Sequence, residues 1–415
     1  MRSYRSTLRF TVLLATAVGW ACADSPTVPA PTPRAEAAVE HQWDALATTR
    51  WNRRATNLLQ FEAVAPPNGQ AWASRMLAYL SLAQYRAVLA ATAPSARAER
   101  ASVSAAVAGA SVVVLSRFYT QTPGYNRPLV PGALEQMLTA DKAGPGWPGE
   151  TAKNVAAGEA IGRAAGEAAW NQAQLDGYNS ASTAFNAMVA ARPVGPSYWI
   201  LVGTAVRSLW GVKPFFLEPG ESFVPTPPPP SIAALTLAAN DVLLGMTVGS
   251  TQQLHEQDSI ARLWNKVAPA GPFTAGEWNR VADDLIQSHH RTEAQAARIL
   301  AYANAAAFNS QVDCFTAKYI WWVPRPAQLN PAIVALFSTP NHPSYPSGHS
   351  CISSTFAAML SNAFPDSETQ GWLTAQYVEA GLSRIYAGIH CPADITAGQA
   401  NGARAAARAL EGRLE

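Results

Sequence analysis

The chain has 415 residues, 48% of them hydrophobic, and a formal net charge of +2. That apolar content supports a large buried core and excludes a chain that is disordered over most of its length. Arg2, Arg5 and Arg9 all precede the first apolar run, so the rest of the chain is close to neutral and has no electrostatic basis for binding nucleic acid.

The basic start is followed by the apolar run Phe10 to Val18, the layout of a secretory signal. Ala21-Cys22-Ala23 offers small residues for cleavage before Asp24, while Cys22 directly after Ala21 also suits a bacterial lipoprotein, with Gly19 where such signals usually carry leucine. Residues 1–23 are therefore read as a signal peptide, 24–38 as a proline-rich tether, and 39–415 as one catalytic domain. The expected location is the periplasm or outer envelope, with a lipid anchor at Cys22 under the second cleavage. No later stretch is expected to cross a membrane, which takes about 20 apolar residues. The nearest, Ile232 to Met246, is interrupted by Asn240 and Asp241.

Helical signals dominate the remainder of the chain. Between Ala71 and Ala91, Trp72, Met76, Tyr79, Leu80 and Ala83 recur at three- and four-residue steps and form one buried stripe. Residues 99–117 are expected to be helical, as is the alanine-rich segment 151–174, where Gly158, Gly162 and Gly166 stand one turn apart and invite a second helix to pack closely. Glu159, Arg163 and Glu167 place that packing in a water-soluble bundle rather than in lipid. Further helices are predicted at 231–247, 252–267, 275–289, 292–317, 348–363, 367–382 and 393–411. Alternating strand patterns are scarce, so the fold is read as all-α. The proline-rich stretch 223–230 reads by composition as a linker, but the apolar Pro214-Phe215-Phe216-Leu217 before it wants burial.

Three segments near the C-terminus, within 314–396, carry the chemistry: Lys318 with Arg325-Pro326, then Pro346-Ser347-Gly348-His349, then Ser383-Arg384 with Gly388, His390 and Asp394. Lys318, Arg325 and Arg384 supply three positive charges, two of them planar forks suited to oxyanions. Ser347 and the backbone N–H of Gly348 add neutral donors at a predicted helix start. His390 and His349 remain to attack or coordinate the anion and to move protons. Asp394, four residues after His390, can hold the second ring nitrogen or cap the following helix.

This order and spacing resemble the three-part signature of the type 2 phosphatidic acid phosphatase and vanadium haloperoxidase superfamily. Trp210-Gly211-Val212-Lys213-Pro214-Phe215, the run Pro227 to Pro230, and Ala261-Arg262-Leu263-Trp264 resemble landmarks of its soluble bacterial haloperoxidase-like branch. The resemblance implies a large helical bundle of the vanadium haloperoxidase and acid phosphatase type, in which 223–230 wraps on the core. It implies vanadate as cofactor, with His390 as the vanadium ligand and His349 as the proton acceptor, and hydrogen peroxide and halide as reactants. His342 in Pro340-Asn341-His342-Pro343 falls where bromide-oxidising members often have histidine and a chloride-oxidising type has phenylalanine, so bromide or iodide is favoured. The alternative is a soluble acid phosphatase in which His390 attacks a phosphomonoester and no cofactor is needed; the short gap between His349 and Ser383 resembles that group. A non-catalytic oxyanion-binding protein is a third reading. Cys314, Cys351 and Cys391 all neighbour site residues, and export permits a Cys351–Cys391 disulfide.

Overall fold

The computed structural model describes residues 46–62, 66, 68–98, 101–143, 151–180, 182–203, 206–216, 226–267, 269 and 271–414. These residues belong to one compact unit, Trp43–Glu415. The signal segment, the proline tether and Cys22 lie outside the described residues. Among those described no strand forms, and the single isolated β-bridge joins Thr122 to Tyr125. The architecture is all-α.

Among the described residues fifteen helices follow in order: α1 Ala47–Phe61, α2 Gly69–Thr92, α3 Pro94–Ala98, α4 Val103–Gln121, α5 Val130–Ala143, α6 Ala152–Gln174, α7 Thr183–Ala190, α8 Ile232–Thr247, α9 Thr251–Leu263, α10 Phe273–Ser288, α11 Glu293–Trp321, α12 Pro326–Leu329, α13 Gly348–Ala363, α14 Ser367–Tyr386 and α15 Pro392–Glu411. Many starts are capped as their residues dictate. Ser102, Ser231, Ser250, Ser347 and Asp366 each accept a hydrogen bond from the first turn of their helix, and Thr292 with Gln295 forms a reciprocal capping box at the head of α11.

The glycine stripe on α6 does what its spacing predicts. A Cβ at Gly158 would stand 2.1 Å from the carbonyl oxygen of Ser102, and one at Gly162 would stand 1.9 Å from that of Ala106. The α6 backbone therefore lies directly on α4. Helix α4, with an 18-residue window of mean hydropathy 1.4, is long and apolar enough to cross a membrane by length and composition alone. Most of it is buried inside the bundle, where a helix that is apolar all round belongs.

Two apolar clusters share α11 as a pillar. Phe308, Val312, Phe315 and Tyr319 pack with α2, α4 and α6 in one, while Leu300, Ala303, Ala306 and Ala307 pack with α10, α13, α14 and α15 in the other. Of the proline-rich stretch 223–230, residues 223–225 lie outside the described residues. The described part is tied to the bundle: Trp321 Nε1 donates to the Thr226 carbonyl and Tyr345 Oη to that of Pro227.

Candidate functional site

The site is built where the C-terminal end of α11 meets the starts of α13 and α15. Helix α11 runs four residues further than its periodicity predicts, so Lys318 sits in its last turn, and Trp322 ends it in a left-handed conformation with φ of 53°. The chain then passes extended through Arg325 into the short helix α12. The loop before α13 lies alongside this segment, with the Ser344 N–H donating to the Val323 carbonyl. Ser347 caps α13 and its own N–H donates to the Asp394 carbonyl, which joins the first turns of α13 and α15.

His390 is buried, and its two ring nitrogens have different partners. Nε2 lies 3.0 Å from Arg325 Nη1. A guanidinium only donates, so Nε2 carries the lone pair and the ring proton is on Nδ1, which donates to Asp394 Oδ2 at 2.9 Å. Burial first, and then Arg325, Lys318 and Arg384, hold the imidazole well below its ordinary pKa. The ring is thus neutral, with the basic nitrogen fixed opposite the carboxylate.

Asp394 serves both roles that its position suggests. Oδ2 accepts from His390, from Ser344 Oγ at 2.5 Å and from the Cys391 N–H at 3.0 Å, the last of which caps α15. Burial raises its pKa against the pull of these hydrogen bonds. Ser344 is a site residue that the motif spacing did not single out; its place inside the motif loop is the one signal in the sequence that could have found it.

His349 stands on the first turn of α13. Its Nε2 lies 3.1 Å from the Trp264 carbonyl, an acceptor only, so Nε2 carries the proton and Nδ1 is free to accept one. Burial, followed by Arg384, holds this imidazole neutral as well. His342 lies edge-on to Phe315 at 5.3 Å, with Nδ1 3.1 Å from Arg325 Nη2, and burial, then Lys318 and Arg325, keeps it neutral.

The three cations have only neutral acceptors. Lys318 Nζ donates to the carbonyls of Pro343 at 3.0 Å, Ser344 at 2.8 Å and Pro346, so it pins the loop before α13 from below; burial lowers its pKa to about 8. Arg325 donates to the carbonyls of His342 and Ile389. Arg384, in the last turn of α14, donates to Ser383 Oγ at 2.9 Å and to the Ala261 carbonyl at 2.8 Å, with its plane over Phe337. Burial lowers the two guanidiniums to about 10 and about 9, and both remain charged at neutral pH. The carbonyls of Ala261 and Trp264, at the end of α9, thereby position Arg384 and His349.

A cavity of about 570 Å³ opens onto His342, Gly348, His349, Arg384 and His390, with Phe273, Phe315 and Phe337 among its apolar walls. The N–H groups of Gly348 and His349, at the head of α13, have no acceptor among the described residues. Donors from a helix start and guanidiniums stand around a neutral imidazole lone pair, a cradle of the kind that can hold a tetrahedral oxyanion. The expected Cys351–Cys391 bridge is not present. Cys314, Cys351 and Cys391 are free; Cys351 neighbours Cys314, whose thiol points to the Pro346 carbonyl, while the Cys391 thiol points to the Leu235 carbonyl.

Residues 296–411 match the PAP2 superfamily model. No curated protein matches the sequence. Among solved structures, the chain is similar to one described as the first bacterial vanadium-dependent iodoperoxidase, at 18% identity and a TM-score of 0.69 over 89% of this chain and 97% of that one. It is also similar to a holo-type bacterial vanadium-dependent chloroperoxidase, at 13% identity and 0.60 over 84% and 93%, and to an apo-type form at 14% and 0.61 over 86% and 96%. Likeness at these identities is likeness of fold. The segment that carries the site, residues 296–411, is the part that matches the PAP2 superfamily model, and it lies on an all-helical fold like that of solved vanadium-dependent haloperoxidases.

Proposed function

We propose that this chain is an exported vanadate-dependent haloperoxidase that oxidises bromide or iodide with hydrogen peroxide. The observation that carries the reading is the fixed state of His390: a neutral ring whose Nε2 lone pair faces a buried cluster of cations, with its Nδ1 proton held by Asp394. The likeness over nearly the whole length of a solved iodoperoxidase supports it, as does the histidine rather than phenylalanine at position 342.

The donor set suits vanadate, with His390 Nε2 as the metal ligand and Arg384, Arg325 and the Gly348 N–H as anion donors. Bound there, vanadate supplies a Lewis acid that draws electron density from peroxide. With the site loaded, Arg325, whose Nη1 now faces His390 Nε2 at 3.0 Å, would turn that donor to the anion. His349 accepts the peroxide proton at Nδ1, and the Trp264 carbonyl, already holding Nε2–H, stabilises the imidazolium that results. Lys318 holds the loop before α13 in place and adds positive potential from beneath it.

A second reading has one observation in its favour. The cavity has room for the organic part of a phosphomonoester, and the same lone pair on His390 could attack phosphorus while His349 moves the proton of the leaving alcohol. A paired assay on protein from the envelope fraction separates the two. Vanadate-dependent bromination of a phenolic dye, falling by at least about a thousandfold in His390→Ala, is the expected result. Hydrolysis of p-nitrophenyl phosphate that is lost in the same variant, without bromination in the wild type, would establish the phosphatase instead.

A further inference from the structure

Gln311 lies seven residues before Lys318 on α11, on the same face of the helix, and is fully buried. Its Nε2 donates to the Gly348 carbonyl at 3.0 Å. A carbonyl only accepts, so this bond fixes which end of the amide is oxygen. Gln311 also lines the cavity, and its Oε1 is buried with no partner among the described residues. A Cβ placed on Gly348 would meet that oxygen at 3.8 Å and nothing nearer, so Oε1 stands beside the first residue of α13, where the free N–H donors are.

An acceptor at this place is unexpected in a cradle for anions. Its lone pairs repel a bare anionic oxygen and are satisfied only if the ligand brings a hydrogen. Sulfate, phosphate and vanadate are all tetrahedral and similar in size. At neutral pH phosphate and vanadate carry a hydroxyl and sulfate carries none. We propose that Gln311 is a specificity-determining residue, whose amide oxygen accepts a hydrogen bond from the hydroxyl of a hydrogen-bearing tetrahedral oxyanion and so excludes sulfate. The inference deepens the proposed function and rests on its oxyanion cradle.

Calorimetric titration of the purified protein with orthophosphate, micromolar orthovanadate and sulfate, at pH 7 and constant ionic strength, tests it. The wild type is expected to bind phosphate and vanadate at least about tenfold more tightly than sulfate. Gln311→Met keeps the length of the side chain and removes the acceptor, and is expected to narrow that ratio to about threefold or less, mainly through weaker phosphate binding. A merely structural role would lower all three affinities together and leave the ratio alone. A Met variant with wild-type melting behaviour and an unchanged ratio overturns the proposal. Equal affinity of the wild type for sulfate and phosphate overturns it without any variant and leaves the cradle standing. A wild type that binds none of the three removes both the proposal and the function on which it rests.

Discussion

Arg75 and Arg384 are buried to nearly the same degree, and their surroundings differ in one respect. Arg75, on α2, places Nε 2.7 Å from Asp176 Oδ2, and Tyr79 Oη adds a hydrogen bond to the same carboxylate. The charge is closed within the N-terminal bundle. Arg384 meets a hydroxyl, a carbonyl and a phenyl ring, and Lys318 meets three carbonyls. Asp394, the carboxylate of this site, is committed to His390, Ser344 and the N–H of Cys391. A buried cation with a carboxylate is a structural element, whereas several that share only dipoles leave positive potential for a ligand to answer.

The largest test of this contrast removes one member from each region. Asp176→Ala strands the Arg75 guanidinium in the core and is expected to cost about 3–5 kcal/mol of unfolding free energy in a denaturant titration. Arg384→Met is expected to change stability by less than about 1 kcal/mol, because an unmatched buried cation is removed, while weakening orthophosphate binding by about tenfold or more. Comparable loss of stability in both variants would break the distinction.

A smaller effect separates the regions by their space. At Gly162 a methyl group would overlap the Ala106 carbonyl at 1.9 Å, so Gly162→Ala is expected to lose about 1–3 kcal/mol despite the better helix propensity of alanine. The nearest atom to a methyl group at Gly348 is 3.8 Å away. Gly348→Ala should therefore melt like the wild type and report its effect in anion affinity alone.

The smallest effect concerns pH. With burial holding the Lys318 ammonium at about 8, its charge is present below that value and lost above it. Anion affinity is therefore full on the acid side and falls as pH rises through about 8. Phosphate titrates nearby, but identically for every variant, so the difference between wild type and Lys318→Met isolates the lysine. A difference that is flat from pH 7 to 9 would take Lys318 out of the electrostatics and leave it only the loop it holds.

The helices with strong periodicity, the glycine stripe of α6 and the spacing of the cradle motifs were all readable in the chain, because each depends on residues a few positions apart. Helix α1 was not readable, and the reason is physical. Its preceding residue, Leu46, offers no side-chain cap; the N–H groups of Ala47 and Thr48 are instead satisfied by Glu293, at the head of α11. Helices α5 and α7 were missed too, and Ser182 before α7 makes no side-chain cap. The motifs named Lys318, Arg325, Arg384, His349, His390 and Asp394 without stating their contacts. Only the packing of α11 against α13 and α15 decided that Lys318 binds loop carbonyls, that Cys351 meets Cys314 rather than Cys391, and that the buried Gln311 oxygen is left without a partner beside the cavity. Local spacing selects helices and chemical groups, while proton positions, thiol neighbours and the walls of a cavity are set by segments distant in the chain, which meet only when the core closes.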